Sequence, residues 1–374
     1  MGQKIPESKK LENNNILKID IIPAYQKRSR YPLSKVAESI KYIPLKTSSD
    51  YILDDYLKKI IITKKEIFVS VFGDCVYRFS INGEFLNKIG KIGRGPEECI
   101  KPKDMILDSA NHQVIILDED KLVSYGFDGS FIKKWPLGFS SGNLIQLDAN
   151  TILLNDLDYL FKKPGDRFSF KFYTLKNNQV ISKVACDKED KIPFSICTPI
   201  MYAFNHQSYL KDYWSDTIYQ IIDPYTLKAY AVVETGKFNY RDSDDKAILT
   251  GASSSDDTWI IDIVNISETN RFIFIVSNKG LFYYDKVQKE TFCCNFKIED
   301  NDATLFANDL TKGPDLSSFI YNYAIDNNSQ VSYKTALSFF EKGSRRLKPG
   351  LDRSLNDLHS DDNQVLELIN YKPK

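Results

Sequence analysis

Residues 76–135 constrain the fold more than any other stretch of the chain. They read VYRFSINGEFLNKIGKIGRGPEECIKPKDMILDSANHQVIILDEDKLVSYGFDGSFIKKW. An alternating run leads into Asn82-Gly83, and a second run follows it. A glycine-rich loop comes next, then two more runs, and the pattern recurs with Asp128-Gly129 where Asn82-Gly83 stood. Asn-Gly and Asp-Gly between alternating runs are hairpin signals, because the favoured two-residue turn needs positive φ. The stretch is therefore one four-stranded antiparallel unit running into the next.

The same unit can be followed along most of the chain. One group is KKIIIT, EIFVS, VYRFS and FLNKIG. The second is DMILD, QVIILD, LVSYGF and FIKKWPL. The third is NLIQLD, TILLND, FKFYTL and VISKVA, and the fourth is MYAFN, YLKDYW, TIYQII and KAYAVV. The fifth is IIDIVN, RFIFIVS, GLFYYD and ETFCCNF. Third strands begin near Val76, Leu122, Phe170 and Thr217, with steps of roughly 47 residues, close to the period of propeller blades. The next third strand, near Leu281, comes late because residues 234–259 form an inserted loop. After Phe296 the pattern weakens, with SSFIYNYAI and KTALSFFEKG as candidate inner strands or helix, and 351–363 as a short helix capped by Asp352 or Ser354. The terminal runs SIKYIPL (39–45) and VLELINY (365–371) complete no group locally. Pairing them in one blade removes exposed strand edges. The expected fold is an all-β, six-bladed β-propeller, closed by N- and C-terminal strands.

Composition narrows the function. Aromatic residues make up 13% of the chain, which favours strands. The 50 basic residues balance the 50 acidic ones, so the basic excess of a nucleic-acid binder is absent. Cys75, Cys99, Cys186, Cys197, Cys293 and Cys294 form no CxxC pair, and there are three histidines, so zinc spacings are missing and buried free thiols are expected. Cys293 and Cys294, adjacent on a strand, point to opposite faces. No run is long and apolar enough to span a bilayer. Residues 1–15 are polar and aperiodic and read as a disordered tether, leaving 16–374 as one propeller domain. Met1 reads as a start residue added to a trimmed chain, with any export signal upstream. No metal or other cofactor is expected, and the chain is expected to be a monomer.

Three segments carry a resemblance. GKIGRGPEE (90–98), SDTIYQI (215–221) and DDNQVLELI (361–369) resemble the G-x-GRGPGE-type loop, D-T-I-Y strand and D-D-N-P-V-L closing segment of six-bladed propeller proteins of Bacteroidetes. The repeat is similar to the NHL type, and such proteins are sometimes described as TolB-like. The resemblance covers nearly everything after residue 35. It departs at Glu97, Cys99 and Gln364, where glycine, an aromatic and proline are more usual. It implies an exported protein at the periplasm or cell surface, anchored through a lipidated cysteine, and implies no settled activity.

The motifs favour binding over catalysis. A phosphate-binding loop needs Gly-Lys-Ser/Thr opening a helix. In GKIGRGPEE a Pro-Glu-Glu sequence and a strand follow instead, so the glycines serve a turn. SSSDDTW (253–259) is similar to a sialidase Asp-box but lacks its glycine and occurs once. Asp118, Asp120, Asp156, Asp158, Asp212 and Asp216 stand at strand ends, where Asp serves turns. His112, His206 and His359 accompany no recognisable nucleophile. No catalytic residue is assigned.

In a four-stranded antiparallel blade, the loops between second and third strands leave on the same side as the inter-blade loops. That side collects 90–103, 155–167, 187–200, 211–216 and 234–259, whereas INGE, FDGS and KNNQ turn on the other. Long loops on a rigid scaffold carry function. The candidate ligand-binding residues are therefore Arg94, Tyr159, Phe161, Phe194, Tyr213, Trp214, Phe238 and Tyr240, the aromatics to stack on sugar rings or anchor a protein. The expected function is a non-catalytic envelope module recognising a glycan or protein partner. The alternative is a hydrolase or lyase with its site in the central pocket of the propeller.

Overall fold

Six four-stranded antiparallel sheets form a six-bladed β-propeller, and the only α-helix among the described residues is Ile22–Gln26. The computed structural model describes residues 2–4, 16–48, 51–53, 56–159, 162–163, 165–186, 199–213, 215–236, 261–295, 297–299, 302–317, 323–324 and 326–374. The Cα positions group into two compact units.

The first unit is built from Ser29–Lys134, Glu268–Arg271 and Cys294–Lys374. Blade 1 comprises Leu57–Ile62, Glu66–Val71, Val76–Ser80 and Phe85–Ile89, and blade 2 comprises Pro102–Asp108, Gln113–Asp118, Lys121–Gly126 and Phe131–Pro136. Blade 6 takes Tyr323–Ala324, Ser329–Lys334 and Val365–Tyr371 from the end of the chain and Ala37–Pro44 from its beginning. Val365 pairs with Pro44 and Ile369 with Ile40, so the two terminal runs close one blade as expected. The second strand of blade 6 is SQVSYK, a run that sequence reading passes over in favour of KTALSFFEKG. Ala336–Phe339 is instead a 3-10 turn. Polar Ser329, Gln330, Ser332 and Lys334 are all buried there, which hides the strand from a hydrophobic scan. Residues 351–363 hold a single 3-10 turn, Arg353–Leu355, with the Asp352 side chain accepting from Ser354 N at 2.8 Å.

Both faces of blade 1 are covered, so its middle strands are apolar almost throughout. Ile67, Val69 and Phe79 of blade 1 pack with Ile43, Val331 and Leu366 of blade 6. On its other face, blade 1 places Phe68, Val76 and Ile89 against Met105, Val114, Ile116 and Tyr125 of blade 2. The Asn-Gly and Asp-Gly turns also latch neighbouring blades. Gly83 (φ +86°) lies where a Cβ would sit 2.1 Å from the Pro44 carbonyl oxygen, and Gly129 (φ +89°) where it would sit 3.0 Å from that of Lys88. Only glycine fits both the dihedral and the approach. A further small sheet, Lys297–Glu299, Asp302–Ala307 and Leu316–Ser317, is inserted between blades 5 and 6 in the chain, with Tyr31–Pro32 pairing parallel to it.

The second unit is built from Met1–Arg28, Trp135–Ser267 and Phe272–Cys293. Its blades are 3 (Leu144–Gln146, Thr151–Asn155, Phe168–Thr174, Gln179–Ala185), 4 (Ile200–Phe204, Gln207–Lys211, Thr217–Asp223, Thr226–Glu234) and 5 (Ile263–Glu268, Phe272–Ser277, Gly280–Asp285, Glu290–Cys294). Leu17–Asp20 adds a parallel fifth strand to blade 4, which buries Ile19 and Ile21. Gly2–Lys4 runs parallel to Lys183–Ala185 at the edge of blade 3. Of the expected tether, Met1 and residues 5–15 lie outside the described residues.

Candidate ligand-binding site on the long-loop side of blades 1 and 2

The inner strands of blades 1 and 2 begin alike. Leu57 pairs with Val71 and Lys59 with Ser70, so Lys58 is the extra residue of a bulge. In blade 2, Asp118 pairs with Pro102 and Leu117 with Asp104, so Lys103 is the extra residue. A bulge re-aims its side chain and recurs beside functional sites. Two bulged lysines thus occupy equivalent positions on neighbouring strands, each at the end nearest the long loops. Between them Lys59 Nζ donates to Asp104 Oδ1 at 2.7 Å and ties the two strands together. Lys58 Nζ lies 3.4 Å from the Pro102 carbonyl oxygen. Burial pushes the Lys58 ammonium down to about 8; Asp104 works against that, and the charges of Lys103, Lys101 and Lys59 add to it. Lys58, Lys59, Lys101 and Lys103 thus gather around Asp104 as a lysine rim.

An apolar patch adjoins the rim. Tyr56 immediately precedes the inner strand of blade 1 and is 73% exposed; Phe72, in the loop after its second strand, is 66% exposed. The Phe72 amide donates to the Tyr56 carbonyl at 3.2 Å, which holds the two residues' backbones opposite each other. Ile52, Ile92, Ile100 and Leu337 are exposed as well, and all of them lie in loops of the same side.

The glycine-rich loop borders this surface and is filled by its own carboxylate. Glu98 Oε2 accepts from Gly95 N at 2.8 Å, and its Oε1 pairs with Lys91 at 2.9 Å. A Cβ on Gly93 would lie 1.9 Å from Glu98 Oε2. The Gly95 amide already holds this anion and the Gly93 amide donates to the Cys99 carbonyl, so the loop is a self-capped turn. Arg94 projects from it into solvent.

Asp118 anchors the far end of this loop. It is fully buried and accepts from the amides of Ile100 (3.0 Å) and Lys101, with Lys121 Nζ at 3.3 Å. Asn155 does the same in blade 3, accepting from Gly142 N at 2.9 Å and Asn143 N at 2.7 Å. Asn278 does so in blade 5, accepting from Asp262 N at 2.9 Å. These strand-end side chains therefore fix inter-blade loops. Asp156 is likewise buried between Lys162 and Lys171, each at 2.7 Å.

Of the residues expected to meet a ligand, Arg94 is exposed on this side. Tyr159 and Tyr213 are only 3% and 8% exposed, so their rings pack the loops of the second unit rather than face solvent. Phe161, Phe194, Trp214, Phe238 and Tyr240 lie outside the described residues, as does SSSDDTW. Sequence reading missed Tyr56 and Phe72, because each stands alone at a strand end and only the fold brings them together. The repeated Lys58 and Lys103 were visible in LKKI and PKDM, the two strand starts. Among the described residues, no three His, Cys, Asp or Glu side chains gather as a metal site would.

Residues 16–370 match the family described as Domain of unknown function (DUF4934). No curated protein matches the chain. A candidate exported protein of Bacteroides fragilis NCTC 9343 superposes with a TM-score of 0.67 at 18% identity, over 96% of this chain and 99% of that one. A member of the DUF4221 family from Bacteroides vulgatus ATCC 8482 gives 0.51 at 10% identity, over 90% and 97%. The extracellular domain of a candidate hybrid two-component system of Bacteroides thetaiotaomicron gives 0.44 at 9%, over 88% of this chain and 40% of that one.

Proposed function

The chain belongs to the DUF4934 family, and from that premise we propose a non-catalytic binding module of the cell envelope that recognises an acidic glycan through its long-loop side. The observation that carries this reading is the exposed pair Tyr56 and Phe72 beside the lysine rim. Aromatic faces stack on the apolar faces of sugar rings. Lysines that are partly desolvated bind carboxylate or sulfate more strongly than fully hydrated ones. The two features together select a sugar polymer that carries negative charge. Envelope location is supported by the description of the Bacteroides fragilis neighbour as a candidate exported protein. A lipid anchor upstream, a monomeric state, the absence of a bound cofactor and kinship to NHL-type or TolB-like propellers remain parts of the same proposal.

Titration calorimetry with polygalacturonate and with neutral dextran tests it. The full chain binds polygalacturonate and not dextran. Each of the double variants K58Q/K103Q and Y56A/F72A loses about tenfold in affinity, the equivalent of roughly 1.4 kcal/mol. Equal binding of both polymers, unchanged affinity in both variants, or no binding of polygalacturonate overturns the reading. In the last case a protein partner becomes the occupant to seek.

A further inference from the structure

Cys75 and Cys99 meet beneath the loops that border the candidate site. Cys75 ends the loop that carries Phe72, and its Sγ lies 3.2 Å from where a Cβ on Gly90 would stand. Cys99 lies across from Gly90's neighbours: its amide donates to the Lys91 carbonyl at 2.9 Å, and its carbonyl accepts from Gly93 N at 2.8 Å. Both side chains are fully buried in the core shared by blades 1 and 2. Both thiols are free, and they lie close enough for each to perturb the other. Tyr125 Oη stands 3.5 Å from Cys99 Sγ and donates to the Glu97 carbonyl at 2.6 Å. Hydrogen bonds thus run from Cys99 through Tyr125 to the glycine-rich loop, and Cys75 packs against Gly90 at the start of that loop. The neighbouring Cys99 sulfur, with burial adding, pushes the Cys75 thiol up, and the same interaction brings Cys99 down.

We propose that Cys75 and Cys99 are a cross-linking pair, joined as a disulfide when the chain folds in the presence of a disulfide donor. The inference rests on the envelope reading only for the presence of that donor in the cell. The Cys99 thiolate attacks one sulfur of the donor disulfide, whose S–S bond breaks and releases one donor thiol. The Cys75 thiol then loses its proton and attacks the Cys99 sulfur of the mixed disulfide, releasing the second donor thiol. Two cysteine thiols are oxidised and one donor disulfide is reduced to two thiols. The bond ties the Phe72 loop to the loop of Ile92, Arg94 and Ile100, and so fixes two sides of the candidate site. The remaining described cysteines, Cys186, Cys293 and Cys294, have no part in it.

The test is refolding of the full, reduced chain in a buffer of reduced and oxidised glutathione, about 1 mM each. The product is quenched in acid, alkylated with N-ethylmaleimide in denaturant and digested with trypsin. Arg78, Lys88, Lys91 and Arg94 separate the two cysteines, so a cross-link joins two distinct peptides. The expected product joins the Cys75 peptide to GPEECIKPK (95–103), about 2 Da lighter than the two peptides together, and falls apart on reduction. The variants C75S and C99S lack it. Full alkylation of both cysteines in the refolded chain, or linkage of either to another cysteine, overturns the proposal. Because glycan binding plays no part in this readout, failure here is distinct from failure of the functional reading.

Discussion

Gly83, Gly129 and Gly73 separate two costs that glycine avoids. All three have positive φ, at +86°, +89° and +74°. An alanine in the left-handed region costs about 1–2 kcal/mol, and at Gly73, where a Cβ meets nothing within 4 Å, that is the whole expected effect. At Gly83 the Cβ would lie 2.1 Å from the Pro44 carbonyl oxygen. Ordinary contact is near 3.5 Å, so the turn has to withdraw by about 1.4 Å. Withdrawal breaks the bond from Lys46 N to the Gly83 carbonyl, now 2.9 Å, at a cost of about 1 kcal/mol. It also loosens the packing of Ile43 and Leu366 against blade 1. The expected loss for G83A is about 3–5 kcal/mol. G129A, whose nearest atom is 3.0 Å away, falls between, at about 2 kcal/mol. Urea denaturation of the three variants, followed by tryptophan fluorescence and far-UV circular dichroism, gives the ranking. Equal destabilisation by G83A and G73A refutes the claim that this turn latches blade 6 to blade 1.

Further outcomes follow from the same structure. D118A, which strands the amides of Ile100 and Lys101 and the Lys121 ammonium, lowers unfolding free energy by about 3 kcal/mol in the same assay. D118N costs about 1 kcal/mol or less, since an amide oxygen does this work at Asn155. Deletion of residues 361–374 removes the strand that pairs with both Ser329–Lys334 and Ala37–Pro44, and thermal melts of the product lose cooperativity. Deletion of residues 1–14 removes only the outer strand Gly2–Lys4 among the described residues and shifts the melt by a few degrees at most. Lys58 holds its proton below about 8, so polygalacturonate affinity weakens as pH rises through that value. In K58Q calorimetry shows a weaker affinity without that step, and a step of full size in K58Q counts against the assignment.

The repeat was legible because each blade writes it locally. Alternating runs, Asn82-Gly83 and Asp128-Gly129 are encoded within a few residues of the strands they join. Closure by residues 39–45 and 365–371 followed by elimination, from two runs without local partners. The strand SQVSYK was obscured because its buried positions are filled by Ser, Gln and Lys. The run ILKIDII signalled a strand, but its partner Thr226–Glu234 lies some two hundred residues away, and a fifth parallel strand has no repeat to announce it. For the site, loop placement was readable and exposure was not. Tyr159 and Tyr213 have the composition of ligand-stacking residues, yet they pack inwards. Tyr56 and Phe72 gain their meaning from a register, Leu57 against Val71, that places two separate strand ends side by side.

Hydroxyl-radical footprinting of the full chain with and without polygalacturonate tests the central claim most directly. Tyr56, Phe72, Ile92 and Ile100 are exposed on the long-loop side, whereas Leu86 and Ile132 are exposed on the outer strands of the same two blades. The account predicts that polygalacturonate protects the first four from oxidation and leaves Leu86 and Ile132 unchanged. Protection of Leu86 and Ile132 with Tyr56 and Phe72 still fully reactive would contradict it.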